Sequence, residues 1–169
     1  AIDGDFGPST EAAIRQFQSD RGLEVDGIIG SDTYRALMNK EMPPNRSNSV
    51  VRNVLRAAYS VIGTPYVFGG TSPYGFDCSG FTQYAFARAG VSLPRVADSQ
   101  FYYGRQISMS QLRPGDLIFF TTYEPGASHC GIYVGNGNFI HAGTSTGVTV
   151  SSAFTGYWGA RYYGACRVL

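Results

Sequence analysis

Cys78 lies in Gly69-Gly70-Thr71-Ser72-Pro73-Tyr74-Gly75-Phe76-Asp77-Cys78-Ser79-Gly80-Phe81, a glycine-rich loop that runs straight into an apolar-periodic helix. A thiol at that junction meets the unsatisfied N–H groups of a helix start and the positive end of its dipole. Both favour the thiolate, the nucleophilic form of cysteine. Downstream, His129 and His141 fall in two short strand-like segments and are the chain's 2 histidines. A cysteine, a base and a group that orients the base are the parts of covalent acyl transfer. Structural alternatives stay open at this point. A cysteine among apolar neighbours is commonly a buried packing residue, and a histidine is more often a surface or hydrogen-bonded residue than a catalyst.

Whether the two imidazoles can cooperate depends on hairpin register. His129-Cys130-Gly131-Ile132-Tyr133-Val134 alternates faces, with His129, Gly131 and Tyr133 on one side and Cys130, Ile132 and Val134 on the other. Gly135-Asn136-Gly137-Asn138 signals a hairpin turn. A two-residue Asn136-Gly137 loop that pairs Gly135 with Asn138 puts His141 opposite Ile132, on the wrong face. A three-residue loop with Val134 opposite Asn138 puts His141 across from Gly131, on the face of His129. The second arrangement is the one cooperation needs, and it calls for a left-handed glycine at the turn. A side chain at Gly131 would then crowd the diagonal pair.

The elements that must position these residues are legible around them. After Cys78 the helix shows Phe81, Ala85, Phe86 and Ala89 inward and ends at Gly90. Leu117-Ile118-Phe119-Phe120 is a wholly apolar run that suits a central strand. A helix starting near Ser49 carries Val50, Val51, Val54, Leu55, Ala58 and Ile62, and stops at Gly63-Thr64-Pro65. Upstream, Glu41 to Ser49, with Pro43 and Pro44, reads as a linker. Before it, Asp3-Gly4-Asp5-Phe6-Gly7-Pro8-Ser9-Thr10 is echoed by Asp26-Gly27-Ile28-Ile29-Gly30-Ser31-Asp32-Thr33. Each copy has a turn, a buried apolar residue and a helix start. The first helix is expected to turn Ala12, Ala13, Ile14 and Phe17 inward, and the second Tyr34, Leu37 and Met38.

Other polar residues near Cys78 have two readings each. Asp77 could cap the helix or meet a substrate ammonium. Tyr66 could bring its hydroxyl to the thiol or a developing oxyanion, or fill space under the glycine loop. Arg95, Asp98 and Gln100 could line the cleft or face water. A zinc site of Cys78, His129, His141 and Cys130 competes with the nucleophile reading, but no C-x₂-C or H-x-x-x-H spacing supports it. Strict alternation also points Cys130 away from His129.

Composition bounds the rest. The 169 residues, 43% hydrophobic and 15% charged, suit one core or a domain with a small module and exclude a disordered chain. The net charge is +1 and the basic excess of residues 47–169 is scattered, unlike a nucleic-acid footprint. No run is long enough to span a bilayer. No signal-peptide pattern opens the chain at Ala1, as in a mature or trimmed protein.

Residues 1–42 resemble a peptidoglycan-binding module of the three-helix type, through Ile2-Asp3-Gly4-Asp5-Phe6-Gly7-Pro8-Ser9-Thr10; the family pattern has a further helix ahead of this stretch. Residues 50–169, after a linker at 43–49, resemble the NlpC/P60 family of papain-like cysteine peptidases. The matching pieces are Gly63 to Gly70, Phe76-Asp77-Cys78-Ser79-Gly80-Phe81, Leu93-Pro94-Arg95, Pro114 to Phe120, His129 to Gly137 and Phe139-Ile140-His141-Ala142. The resemblance implies an α+β fold with the nucleophile helix packed on an antiparallel sheet, preceded by a small all-helical module. It implies Cys78 as nucleophile, His129 as base and His141 as the orienting third member. Tyr66, Asp77 and Ser79 match positions linked to the oxyanion and to a free substrate amine, and Arg95 is carried with them as a substrate-binding candidate. Cys130 departs from the pattern, which usually has an aliphatic residue there.

The implied activity is hydrolysis of a stem-peptide amide in bacterial peptidoglycan, between D-γ-glutamyl and a diamino acid, with no metal or cofactor. Rivals are N-acetylmuramoyl-L-alanine amidase activity, acyl transfer to an amine, and a non-catalytic wall-binding role. The implied protein is a secreted or wall-associated monomer that neither binds nucleic acid nor inserts in a membrane. With Cys78 as nucleophile, Cys130 and Cys166 remain, and a bridge between them is expected of an exported protein.

Overall fold

Four consecutive apolar residues leave no face for water, so Leu117–Phe120 must be covered on both sides. In the computed structural model, which describes residues 7–30, 32, 33, 36 and 46–169, this run is buried throughout and lies inside a six-stranded sheet. The strands are β3 (Arg105–Ile107), β4 (Leu117–Phe120), β5 (His129–Gly135), β6 (Asn138–Gly143), β7 (Gly147–Ser152) and β8 (Tyr162–Arg167), in the order β3-β8-β4-β5-β6-β7. All neighbours are antiparallel. A separate two-stranded ribbon joins β1 (Thr71–Ser72) and β2 (Gly75–Phe76). The α+β expectation holds.

Helices α2 (Arg46–Ser60), α3 (Cys78–Ala87) and α4 (Ala97–Tyr103) supply one face of the core, where Val54, Leu55, Phe81 and Phe86 meet Leu117, Phe119, Cys130 and Ile132. The other face carries Ile118, Phe120, Tyr133 and Phe139, closed by Trp158 of the short helix α5 (Gly156–Gly159). Helix α2 begins at Arg46, three residues before the expected start near Ser49, and so takes up the end of the expected linker. After the two prolines nothing in Arg46-Ser47-Asn48 resists helix.

Helix α1 (Pro8–Asp20) departs from its expected stripe. Ile14 is buried and Phe17 half-buried, but Ala12 and Ala13 face water, while Glu11 and Gln18 are buried. Each of these polar heads finds partners, which is what makes its burial tolerable. The Gln18 side-chain oxygen accepts from the N–H groups of Asp26 and Gly27, at 3.1 and 2.9 Å, and its nitrogen lies 2.7 Å from Asp26 Oδ1. The expected second helix at Tyr34, Leu37 and Met38 lies outside the described residues, as does the Asp3–Phe6 turn. Ile28 joins the main core, and Asp26 and Glu24 pair with Arg52 and Arg56 of α2, at 2.8 and 2.9 Å.

The β5–β6 hairpin resolves the register question by a third route. Gly135 pairs with Asn138 across the two-residue turn, where Asn136 (φ 55°) and Gly137 (φ 73°) are both left-handed. This is the pattern of a tight hairpin turn. The ladder then shifts between Tyr133 and Gly135, so that Tyr133 pairs with Phe139 and Ile132 with Ile140. Val134 is the extra residue of a β-bulge. Continuing that register sets His141 opposite Gly131, on the face of His129. The expected outcome stands, but a short loop with a bulge produces it in place of a three-residue loop.

Candidate active site

Helix α3 begins at Cys78 because Asp77 caps it: its Oδ1 accepts from Gly80 N–H at 2.7 Å. As the first helical residue, Cys78 keeps an N–H without an intrahelical partner. The sulfur lies 3.9 Å from Ser128 O, against the start of β5, and Cys78 as a whole is 6% exposed. It shares the wall of a cavity of about 580 Å³ with Tyr66, Tyr123, His129, His141, Ser151 and Trp158.

The imidazoles form a line. His129 Nε2 and His141 Nδ1 are 2.9 Å apart, and His141 Nε2 lies 2.9 Å from Ser151 Oγ on β7. Burial, and then the nearby His129, push His141 down to about 2, so it is neutral. A neutral ring with Nε2–H donated to Ser151 leaves Nδ1 to accept from His129 Nε2–H. That tautomer frees His129 Nδ1 toward the thiol. Trp158 stacks on His129 at 4.6 Å and Phe139 on His141 at 4.2 Å, fixing both ring planes. Gly131 makes the close approach possible, since a Cβ there would stand 2.7 Å from Ile140 O and 2.9 Å from His141 Cβ.

The Cys78 thiol is drawn down to about 4, by hydrogen bonding from Cys130 first, against the opposing effect of burial, with His129 adding a hydrogen bond and its charge. Cys130 is pushed the other way by its complete burial and by Cys78. The two opposed shifts favour a Cys78 thiolate facing a Cys130 thiol. Thr82 Oγ1, 3.7 Å from Cys130 Sγ, and Gln100 Oε1, 3.8 Å away, enclose that thiol.

The remaining candidates divide. Tyr66 lines the cavity beside Cys78, and burial with the adjacent Cys78 and Asp77 charges pushes its hydroxyl up to about 12. Asp77, Ser79 and Arg95 form a closed network alongside the cavity. Arg95 donates to both Asp77 oxygens, at 3.1 and 2.7 Å, and to Ser79 Oγ at 2.9 Å. Gly69 N–H and the Ser79 hydroxyl also donate to Asp77, at 3.1 and 3.3 Å. An incoming ammonium would have to compete with Arg95 for that carboxylate. Gln100 neither lines the cleft nor faces water: it is fully buried, donating to Ser79 O at 3.1 Å and Pro94 O at 2.8 Å.

Sequence reasoning missed Ser151, which no local pattern marks, and Trp158, whose uniqueness in the chain was the one available signal. It sets Cys130 beside Cys78 only in the zinc alternative; alternation points Cys130 away from His129, and the structure puts it against the Cys78 thiol. The expected bridge is corrected: Cys78, Cys130 and Cys166 are all free and buried. Cys130 is on β5 and Cys166 on β8, with β4 between them. Two strand spacings come to about 10 Å, beyond the roughly 7 Å Cα limit of a disulfide. No group of three or more metal-ligating side chains gathers among the described residues.

Comparison with known proteins points the same way as the geometry. Gamma-DL-glutamyl hydrolase of Bacillus subtilis (strain 168) is 45% identical over 117 residues, 68% of this chain but 28% of that protein. The chain therefore spans under a third of that relative's length. Murein DD-endopeptidase MepS/Murein LD-carboxypeptidase of Escherichia coli (strain K12) is 46% identical over 144 residues, 83% of this chain and 76% of that one. The solved structure of the peptidoglycan hydrolase RipB from Mycobacterium tuberculosis superposes with a TM-score of 0.65 at 31% identity, covering 96% of this chain and 82% of that chain. Residues 1–37 match the model of a peptidoglycan binding domain. Residues 63–167, more than half the chain and the whole span from the Tyr66 loop to β8, match the NlpC/P60 model. By that match and by the fold beneath it, the chain belongs to the NlpC/P60 family.

Proposed function

We propose that the protein is a cysteine peptidase that cuts an amide bond in the stem peptides of bacterial peptidoglycan, between D-γ-glutamyl and a diamino acid. The observation that carries this reading is the line Cys78, His129, His141, Ser151 along one wall of an open cavity. Cys78 attacks the amide carbonyl as thiolate. The protonated His129 hands its proton to the departing amine, and His141 holds the tautomer and plane of His129. The Cys78 N–H, with the Tyr66 hydroxyl beside it, receives the oxyanion. Water, activated by His129, then hydrolyses the thioester.

Asp77 and Ser79 flank the nucleophile in sequence and are tied to Arg95, and a free substrate amine would reach Asp77 only after Arg95 yields. The names of the Bacillus and Escherichia relatives refer to different bonds, one γ-DL-glutamyl and the other murein DD and LD links. Peptidoglycan is common ground, and the match of residues 1–37 to a peptidoglycan binding domain supports it. The module at 1–42 serves the wall and the domain at 50–169 cuts it, as a single chain acting outside the cell membrane. No helix among the described residues is long and apolar enough to cross a membrane.

Mass analysis of muropeptides released from purified peptidoglycan tests the assignment. The expected product carries a new amino terminus on the diamino acid. A new terminus on L-alanine would mean amidase activity, and no product would favour the wall-binding rival.

A further inference from the structure

Two side chains of α1 reach across to the turn of the β5–β6 hairpin. Glu11 Oε2 accepts from Asn136 N–H at 2.7 Å, and Arg15 Nη2 donates to Val134 O at 2.7 Å. The pair is internally locked, Arg15 Nε to Glu11 Oε1 at 2.9 Å. Glu11 is 2% exposed, a depth at which carboxylates are rarely found unless paired. Its carboxylate fills the space over Gly135 (φ 93°), where an added Cβ would collide with it.

The two backbone groups gripped are those that decide the hairpin's register. With Gly135 opposite Asn138 and no bulge, His141 would fall opposite Ile132 and its ring would leave the face of His129. The bulge at Val134 reverses this, at the cost of a residue out of the ladder. Arg15 holds the carbonyl of that residue and Glu11 holds the left-handed Asn136 beside it, both by charge-assisted hydrogen bonds. We propose that Glu11 and Arg15 are positioning residues for the peptidase reaction: the N-terminal module clamps the Val134 bulge and thereby fixes His141 behind His129. The module is then part of the catalytic geometry as well as a wall-binding unit. This rests on the peptidase reading above.

The test uses the full chain and a soluble peptide containing the D-γ-glutamyl–diamino acid bond, too small to engage a wall-binding module. Glu11→Ala is expected to lower kcat roughly tenfold with KM little changed, because misplacement of an orienting group acts on the chemical step. Glu11→Gln keeps an oxygen for Asn136 N–H and is expected to recover most of the loss. Glu24→Gln, which breaks an exposed pair to Arg56 of α2 and removes no side-chain contact to the hairpin, is expected to match the wild type. The imidazole N–H resonances of His129 and His141 should shift in Glu11→Ala and stay put in Glu24→Gln. A kcat for Glu11→Ala equal to that of Glu24→Gln, a change confined to KM, or unmoved imidazole resonances would overturn the inference. Failure of the wild type to cleave the peptide would instead strike at the peptidase reading, and the imidazole resonances would still decide the clamp.

Discussion

Cys78 carries two opposed influences, burial that resists ionisation and a ring of donors that favours it, and the donors win. The expected consequence is a native thiol that iodoacetamide alkylates at nearly constant rate from neutral pH down to about pH 5. A rate that rises through the pH range of an ordinary thiol, near 8.5, would contradict it. His141 makes a stability statement. Unfolded, it takes up a proton below its ordinary 6.5, whereas folded it resists to about 2. Its contribution is therefore fully present above 6.5 and is lost as pH falls through that window. His141→Gln should flatten the acid limb of denaturant stability by up to about 1.4 kcal/mol per pH unit. Unfolding curves of both proteins at pH 7 and about pH 4.5 would check this, and parallel losses would speak against a neutral buried ring.

At the scale of elements, the hairpin is where backbone geometry becomes chemistry. Gly131→Ala puts a methyl against the Ile140 carbonyl and the His141 Cβ. Backbone cannot yield as a flexible side chain does, so this variant is expected to lose about 1–3 kcal/mol of stability, the usual cost of overpacking. It should also separate the imidazoles and lower turnover, measured on the same soluble peptide; full activity would mean the diagonal contact does not matter. The strands, the Cys78 helix and the pairing of the two histidines were legible because period-two alternation, an apolar run and turn residues are local signals. The bulge was not, since its cause lies partly in Glu11 and Arg15, more than a hundred residues away. Likewise, Ala12 and Ala13 looked like core by period, but tertiary partners for Glu11 and Gln18 rotated the helix. Cys166 lies in the last strand, β8, and the interposed β4 that bars its bridge is a fact of sheet order that spacing alone does not contain.

For the whole molecule, the N-terminal module and the sheet domain share core at Ile28 and ion pairs at Arg52 and Arg56. The protein is expected to hold together without a covalent staple: denatured, unreduced protein should titrate three thiols, and a count of one would restore the bridge. Native protein should react at Cys78 alone, because Cys130 and Cys166 are sealed in the core and raised by burial. The most direct measurement is peptidoglycan digestion by wild type and Cys78→Ala at matched melting temperature. The wild type should free new diamino-acid termini and the variant none. Equal release by both would show that the sulfur at the head of α3 is not the attacking atom.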